Sequence, residues 1–100
     1  MVRTLYDAAG CWKCADVREV LDGLGLDYET VEVRGNPGAR ERLTALTGDR
    51  YVPVLVDGDV VVWDRRRIMR YLVDTYGGAD QGWHLEEVPE WAGGVRRLEG

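Results

Sequence analysis

Apolar residues along the chain follow two different spacings, which predict strands and helices in alternation. Runs rich in β-branched and aromatic residues predict strands at residues 2–6, 28–33, 52–56 and 59–62. Apolar positions three and four residues apart predict helices at 12–24, at 39–47 and from the cap residue Asp64 to Gly77. Because only a helix separates the first two strands, we expect those strands to be parallel with a right-handed crossover.

The last quarter of the chain has no such period. Residues 77–100 are rich in glycine and contain Trp83, Trp91 and the acidic pair Glu86-Glu87. We expect either a short helix or turn at 86–91 that packs back on the domain, or a disordered end. The sequence is therefore divided into one domain at 1–76 and a C-terminal extension at 77–100.

Composition and charge exclude several classes of protein. The chain has 100 residues, of which 45% are apolar, and a formal net charge of -5. That length gives one domain with a packed core, and the negative charge argues against nucleic-acid binding. Neither a membrane span nor a secretory signal is evident, and the absence of serine excludes a serine nucleophile. We expect a cytoplasmic monomer.

The two cysteines stand in the motif Cys11-Trp12-Lys13-Cys14. The chain offers His84 as its single histidine, so a four-ligand zinc site within one chain is not expected. A disulfide between residues so close together closes too small a loop to constrain an unfolded chain much. Near a β-α-β pattern, this spacing indicates a redox dithiol. A metal or cluster site shared between molecules, and inert thiols, remain alternatives.

The position of the motif at a helix start assigns a different role to each thiol. Cys11 lies where an N-cap residue belongs, so helix N–H groups and the helix dipole favour its thiolate, and Lys13 adds a positive charge. Cys11 is therefore the expected nucleophile. Cys14, one turn further on and more buried, is the expected resolving cysteine. Trp12 is interpreted as a flat wall for substrate, although Trp12 and Lys13 could also be solvent-exposed residues without a role.

The chain resembles a glutaredoxin, and also the N-terminal domain of a glutathione transferase. The residues that carry the resemblance are Thr4-Leu5-Tyr6, the Cys11–Cys14 motif, the stretch 46–53 that ends in Val52-Pro53, the stretch 55–58, and Trp63-Asp64 followed by 68–72. The resemblance covers residues 2–76. It implies a thioredoxin-like β-α-β-α-β-β-α fold with a four-stranded mixed sheet and helices on both faces.

The resemblance also implies site residues. The Val52-Pro53 peptide bond is cis in this fold family, which turns the Val52 N–H and C=O toward the thiols for pairing with a cysteinyl segment. Asp64 would hold the α-amino and carboxylate ends of a γ-glutamyl group, and Arg50 could pair with the ligand's other carboxylate. No tightly bound cofactor or metal is implied. Glutathione or a similar low-molecular-weight thiol would be the co-substrate, and disulfide-containing proteins and small thiols the partners.

The sequence departs from both families at several positions. Trp12 and Lys13 replace the Pro and Tyr that glutaredoxins usually have between the cysteines, and Val62-Trp63 replaces the usual glycine pair before the acidic cap. Arg65 follows Asp64 where transferases have serine, and the transferase helical domain is missing from this sequence.

Three functions follow, in order of preference. The first is a glutaredoxin-like thiol–disulfide oxidoreductase. The second is a module that binds a glutathione-like thiol or an iron–sulfur cluster without reductase turnover, and the third is a transferase-like domain that docks a partner.

Residues outside the motifs receive simpler interpretations. We expect the run Arg65-Arg66-Arg67 to form a solvated face, with an anionic ligand as the alternative. His84 is expected at the surface. Tyr6 is expected either to flank the thiols or to complete the core.

Overall fold

The computed structural model describes residues 3–77 and 82–99. The elements in chain order are β1 (Arg3–Asp7), α1 (Trp12–Gly23), β2 (Tyr28–Glu32), α2 (Pro37–Thr47), β3 (Val54–Asp57), β4 (Val60–Trp63), α3 (Arg65–Tyr76) and β5 (Gly94–Arg97). The predicted order of the first seven elements is confirmed. Val2, which was predicted to begin the first strand, lies outside the described residues, as do residues 78–81 of the predicted C-terminal extension.

The helix starts are set by side chains that accept backbone N–H groups. Cys11 caps α1, Asn36 caps α2 and Asp64 caps α3, each by accepting an N–H from the first turn. Helix α2 begins two residues before the predicted Ala39, because Pro37 is compatible with the first helical turn, where its missing N–H is not needed. Gly48, at φ 78°, ends α2 in the left-handed conformation that glycine adopts most readily.

The sheet has five strands in the order β2-β1-β3-β4-β5. Strands β1 and β2 are parallel, as predicted, and the other neighbouring pairs are antiparallel. The prediction of four strands was wrong, because β5 adds an edge strand in which Val95 pairs with Val62. The turn between β3 and β4 is Gly58-Asp59, one residue later than the gap at 57–58 between the two predicted strands, because Asp57 still pairs with Val60.

The helices cover both faces of the sheet, as predicted. On one face, α1 and α3 pack against the strands through a cluster that includes Val17, Leu21, Leu55, Ile68 and Leu72. On the other face, α2 contributes Ala39 and Leu43 to a second cluster with strand residues such as Val54 and Val61. Full burial of each large aliphatic side chain stabilises the fold by about 1.5–3 kcal/mol. The two clusters hold the ends of β1 and β3 in fixed positions beside the helix starts.

Within residues 3–77 and 82–99, every helix is too short or too polar to cross a lipid bilayer.

Candidate functional site

The two thiols occupy different environments at the start of α1. The Cys14 backbone N–H donates a hydrogen bond of 3.2 Å to the Cys11 sulfur, which is half-buried. The Cys14 side chain is fully buried. Burial first, and then the hydrogen bond with Cys11, raises the pKa of Cys14 to about 12. The predicted N-cap position of Cys11 and the deeper position of Cys14 are both confirmed.

The loop before Cys11 is fixed by Glu32, at the end of β2. Its Oε1 accepts the Ala9 N–H at 2.8 Å and its Oε2 accepts the Arg34 N–H at 3.3 Å. The Arg34 side chain in turn donates to the Ala9 carbonyl at 2.9 Å. The backbone hydrogen bond from Ala9 is the main cause of the lowered pKa of Glu32. The sequence did not predict these hydrogen bonds, because they depend on the parallel pairing that brings the ends of β1 and β2 together.

A cavity of about 600 Å³ lies between the starts of α1 and α3, where Lys13 and Asp64 line it. Four of the predicted site residues line it, namely Lys13, Val52, Pro53 and Asp64, and the Val52–Pro53 peptide bond is cis. The other four predicted site residues, Cys11, Trp12, Cys14 and Arg50, are not among the residues that line it. Cys11 and Trp12 directly precede Lys13 at the start of α1, so Lys13 is the residue of the motif that reaches the cavity.

The Asp64 carboxylate forms hydrogen bonds and an ion pair with Arg66. Asp64 Oδ1 accepts the backbone N–H of Arg66 at 3.0 Å and its Nε at 3.1 Å, while Oδ2 accepts Nη2 at 3.0 Å. Burial alone would raise the pKa of Asp64, but the hydrogen bonds from Arg66 outweigh it and hold this pKa below its ordinary value. Asp64 also has a φ of 81°, which is uncommon for a residue with a side chain. In this structure the carboxylate pairs within the chain.

The three consecutive arginines do not form a solvated face, so that expectation was wrong. Arg65 forms ion pairs with Asp16, at 3.5 Å, and with Glu86. Arg67 donates to the carbonyl oxygens of Ala92 and Pro89. All three arginines are only partly exposed because α1 and residues 82–99, here called the C-terminal segment, cover them.

The other predicted residues are distributed as follows. Arg50 is exposed, and Trp12 is 61% exposed with the Arg65 guanidinium 5.0 Å from its ring centre. Tyr6 is buried in the core, which supports the second of its two interpretations. His84 is exposed, as predicted.

Several residues that line the cavity were not predicted as site residues, among them Tyr51, Trp63, Glu86 and Trp91. Tyr51 directly precedes one predicted strand and Trp63 directly follows another, both within stretches that carry the family resemblance, and an aromatic residue in that position could have indicated the site. Glu86 and Trp91 gave no local signal, since only the course of the C-terminal segment brings them to the cavity.

Comparison with known proteins identifies the family. The family model described as "Glutathione S-transferase, N-terminal domain" matches residues 5–80. Glutathione S-transferase 1 of Manduca sexta is 35% identical over 83 residues, which cover 80% of this chain and 38% of that protein. The solved structure of a glutathione transferase homolog from Drosophila mojavensis, with bound glutathione, has a TM-score of 0.68 at 29% identity and covers 76% of this chain and 36% of that one.

A glutaredoxin-like structure matches over its whole length. The NrdH-redoxin of Escherichia coli has a TM-score of 0.65 at 26% identity, and the match covers 79% of this chain and 100% of that one. By contrast, the chain spans less than half the length of the curated glutathione S-transferases that it matches. The fold is therefore thioredoxin-like, and the chain belongs to the glutathione S-transferase N-terminal domain family.

Proposed function

We propose that the protein is a thiol–disulfide oxidoreductase that uses Cys11 as nucleophile and Cys14 as resolving cysteine. The observation that supports this most directly is the 3.2 Å hydrogen bond from the Cys14 N–H to the Cys11 sulfur at the first turn of α1. A backbone donor and the positive end of a helix both stabilise a thiolate over a thiol. The substrate class is a protein disulfide or a mixed disulfide with a small thiol.

The reaction proceeds by two thiol–disulfide exchanges. The Cys11 thiolate attacks one sulfur of the substrate disulfide, that S–S bond breaks, and the second substrate sulfur leaves as a thiolate. Cys14 then loses its proton and attacks the Cys11 sulfur of the mixed disulfide. The substrate's first sulfur leaves and takes up a proton, while Cys11 and Cys14 become an intramolecular disulfide. The substrate has gained two electrons, which a low-molecular-weight thiol or a reductase returns to the protein.

Burial of Cys14 supports the order of these steps. With a pKa raised to about 12, Cys14 is a thiol at neutral pH and a poor first nucleophile. Its backbone N–H contacts the Cys11 sulfur, so its side chain is one turn along the same helix from the bond that it must break. The half-buried Cys11 is the sulfur that a substrate can reach.

Val52 supports the binding of an extended substrate segment. Among residues 3–77 and 82–99, no backbone hydrogen bond is made by the Val52 N–H or C=O. An incoming peptide can therefore pair with both groups as an added strand. Lys13 lies on the same cavity, and Trp12 next to it offers an exposed aromatic face. We assign these three residues to substrate binding, together with Pro53.

A second candidate function is binding of glutathione without reductase turnover, as part of a transferase. It is favoured by the family assignment and by the relatives named as glutathione S-transferases. One of the matching structures contains bound glutathione. In that case Cys11 and Asp64 would bind the glutathione tripeptide, and a separate electrophilic substrate would react with its thiol.

Two cysteine variants distinguish these functions. We expect Cys11→Ser to abolish reduction of a protein disulfide, whereas Cys14→Ser should accumulate a mixed disulfide at Cys11 that mass spectrometry detects. Glutathione conjugation to an aryl halide, measured in parallel, should be absent. Conjugation without disulfide reduction would support the transferase candidate instead. A visible chromophore after anaerobic purification, lost in Cys11→Ser, would support an iron–sulfur module.

A further inference from the structure

The C-terminal segment is attached to the start of α3 by three consecutive arginines. Arg65 pairs with Glu86, the Arg66 guanidinium lies 5.6 Å from the ring centre of Trp91, and Arg67 donates to carbonyl oxygens of the segment. Positive charges in the first turn of a helix are unfavourable for the helix itself. Their contacts with the segment offset that cost, which indicates that they serve to anchor it.

Arg67 fixes the turn at whose tip Trp91 lies. Its Nη2 donates to the Pro89 carbonyl at 3.3 Å and to the Ala92 carbonyl at 2.7 Å, and the Ala92 N–H donates to the Pro89 carbonyl at 3.0 Å. One guanidinium thus holds both ends of the turn. Trp91 is nevertheless 80% exposed, while it lines the cavity. An exposed tryptophan on a backbone turn that is held at both ends contributes little to the core, so its position is better explained by contact with a ligand.

The backbone shortly after Trp91, at Gly93 and Gly94, lies in close contact with Trp63 and with Asp64, the cap residue of α3. A Cβ built at Gly93 would lie 2.0 Å from the Trp63 carbonyl oxygen and 2.5 Å from the Asp64 Cβ, and the φ of Gly93 is +61°. A Cβ at Gly94 would lie 2.7 Å from the Trp63 ring. Only glycine permits this approach, which places the segment directly against the residues that line the cavity.

The same arrangement removes a recognition group for amino-acid ligands. Both oxygens of Asp64 accept hydrogen bonds from Arg66, and Glu86 is paired with Arg65. An ammonium group at this end of the cavity would have to displace a guanidinium from a bidentate pair. Asp49, which also lines the cavity, lies on the loop before Tyr51 and accepts the Arg50 N–H. The α3 end of the cavity is therefore poorly matched to a γ-glutamyl ammonium.

We propose that Trp91 is a specificity-determining residue that selects a cysteine-containing polypeptide over a γ-glutamyl thiol. This inference rests on the proposed function. The polypeptide would pair with the backbone of Val52, and its apolar side chains next to the cysteine would pack between Trp91 and Tyr51, which is 70% exposed. Exposed aromatic residues that are held rigid provide large contact areas at a low entropic cost.

The test compares two mixed disulfides that share a chromogenic leaving group, thionitrobenzoate. In the first substrate, thionitrobenzoate is bonded to the central cysteine of an acetylated hexapeptide in which leucines flank that cysteine. In the second, it is bonded to the cysteine of glutathione. In both cases the Cys11 thiolate breaks the S–S bond, thionitrobenzoate leaves and absorbs visible light, and Cys14 then releases the carrier thiol. Because no reductant is added, pre-reduced protein completes a single turnover, and the ratio of the two second-order rate constants, which correspond to kcat/KM, measures the preference for a polypeptide.

We expect the wild-type ratio to favour the peptide, and Trp91→Ala to lower kcat/KM for the peptide by about tenfold while the value for glutathione changes less than about twofold. Trp91→Phe, which keeps an aromatic ring, should restore most of the preference. Arg66→Ala should shift the ratio toward glutathione, because it frees the Asp64 carboxylate. Val95→Ala, on the same segment, exposed and away from the cavity, is the matched control and should leave the ratio unchanged.

The possible outcomes distinguish a failure of the proposed oxidoreductase function from a failure of the proposed role of Trp91. If wild-type protein releases thionitrobenzoate from neither substrate, the proposed oxidoreductase function is wrong. If it releases thionitrobenzoate from both, but Trp91→Ala changes both rates equally or neither, the specificity role of Trp91 is overturned. A loss in Trp91→Ala that Trp91→Phe does not restore, together with a lowered urea midpoint, would also contradict it, because the effect would then arise from the fold.

Discussion

The Tyr71 hydroxyl donates a hydrogen bond of 2.7 Å to Oδ2 of Asp57, a carboxylate that is 8% exposed. The hydroxyl of Tyr76 donates to the same oxygen, and Arg3 Nε lies 3.3 Å from Oδ1. The end of α3 is thus tied to β1 and β3, at the opposite end of α3 from Asp64. Burial, and then the bond to Asp57, raises the pKa of Tyr71, so the hydroxyl stays a donor throughout the neutral range.

Tyr71→Phe should therefore destabilise the fold by about 1–3 kcal/mol, because it leaves a buried carboxylate with one donor fewer. Urea unfolding measures this change. The matched control is Tyr28→Phe, which removes an exposed hydrogen bond of 2.9 Å to Asp22 and should cost less than about 1 kcal/mol. Equal losses in the two variants would contradict the buried role of Asp57. Disulfide reduction should be unchanged in both variants.

The pKa of about 12 at Cys14 predicts selective alkylation. Between pH 6 and pH 9 Cys14 is a thiol, so iodoacetamide should modify Cys11 and leave Cys14 intact in the folded, reduced protein. Peptide mass mapping identifies the modified residue, and unfolding in urea should make both thiols reactive. Comparable labelling of Cys14 in the folded protein would show that its burial does not protect it.

The same raised pKa has a consequence for stability. Because the unfolded thiol has its ordinary pKa of 9.0 and the folded one a pKa of about 12, the folded state holds the proton more tightly between these values. The contribution of Cys14 to stability is complete below pH 9 and is lost progressively above it. Cys14→Ala should flatten this alkaline loss in urea midpoints measured from pH 8 to pH 11.

Asp64 should stabilise α3 through its cap and through Arg66. Asp64→Ala should cost about 1–2 kcal/mol, whereas Asp64→Asn, which keeps an acceptor for the Arg66 N–H and tolerates a positive φ, should cost less. Since the folded pKa of Asp64 is lowered, the charge contribution is present above about pH 4 and disappears as the pH falls through the folded value. Acid titration of wild type against Asp64→Asn tests this, and parallel curves would contradict it.

Gly93→Ala should displace the C-terminal segment. The added Cβ would clash with the Trp63 carbonyl oxygen and would also strain a positive φ. Gly25→Ala is the matched control, because Gly25 has a φ of +70° and nothing within 4 Å of the added Cβ. Both variants carry the backbone cost, of about 1 kcal/mol, but only Gly93→Ala should in addition change the intrinsic fluorescence of Trp91 and Trp63. Identical behaviour of the two would mean that the close approach is not maintained.

Most of the fold follows from local patterns. The helix stripes, the glycine stops and the cap residues are properties of short stretches, and the structure confirms them at Cys11 and Asp64. The strand β5 does not follow, because Gly94-Val95-Arg96-Arg97 has neither an alternating pattern nor a buried face, and Val95 is 57% exposed. Its hydrogen bonds with β4 alone define it as a strand, and these depend on residues over thirty positions away.

The candidate site likewise combines features that the local sequence predicts with features that only the whole fold produces. Two parts of the site can be predicted from the sequence: the motif that contains Cys11 and the Val52-Pro53 pair. Each is a short run of residues whose types and spacing are enough to identify it. Pairing of Arg66 with Asp64 is also local, at two residues' separation, but sequence alone does not show which rotamer the arginine adopts. Contacts of Arg65 and Arg67 with the C-terminal segment require the whole fold and were therefore misjudged as solvent exposure.

The addition of β5 to the edge of the sheet separates two properties along the chain. In the proposed reaction the groups that exchange electrons, Cys11 and Cys14, lie in the first fifth of the chain, whereas one wall of the cavity, formed by Glu86 and Trp91, comes from its last fifth. A chain shortened before Glu86 would keep both sulfurs and their helix and would lose that wall. If the proposed reaction and the proposed role of Trp91 hold, redox chemistry and the choice of substrate can change independently, by exchange of a segment that contains neither cysteine.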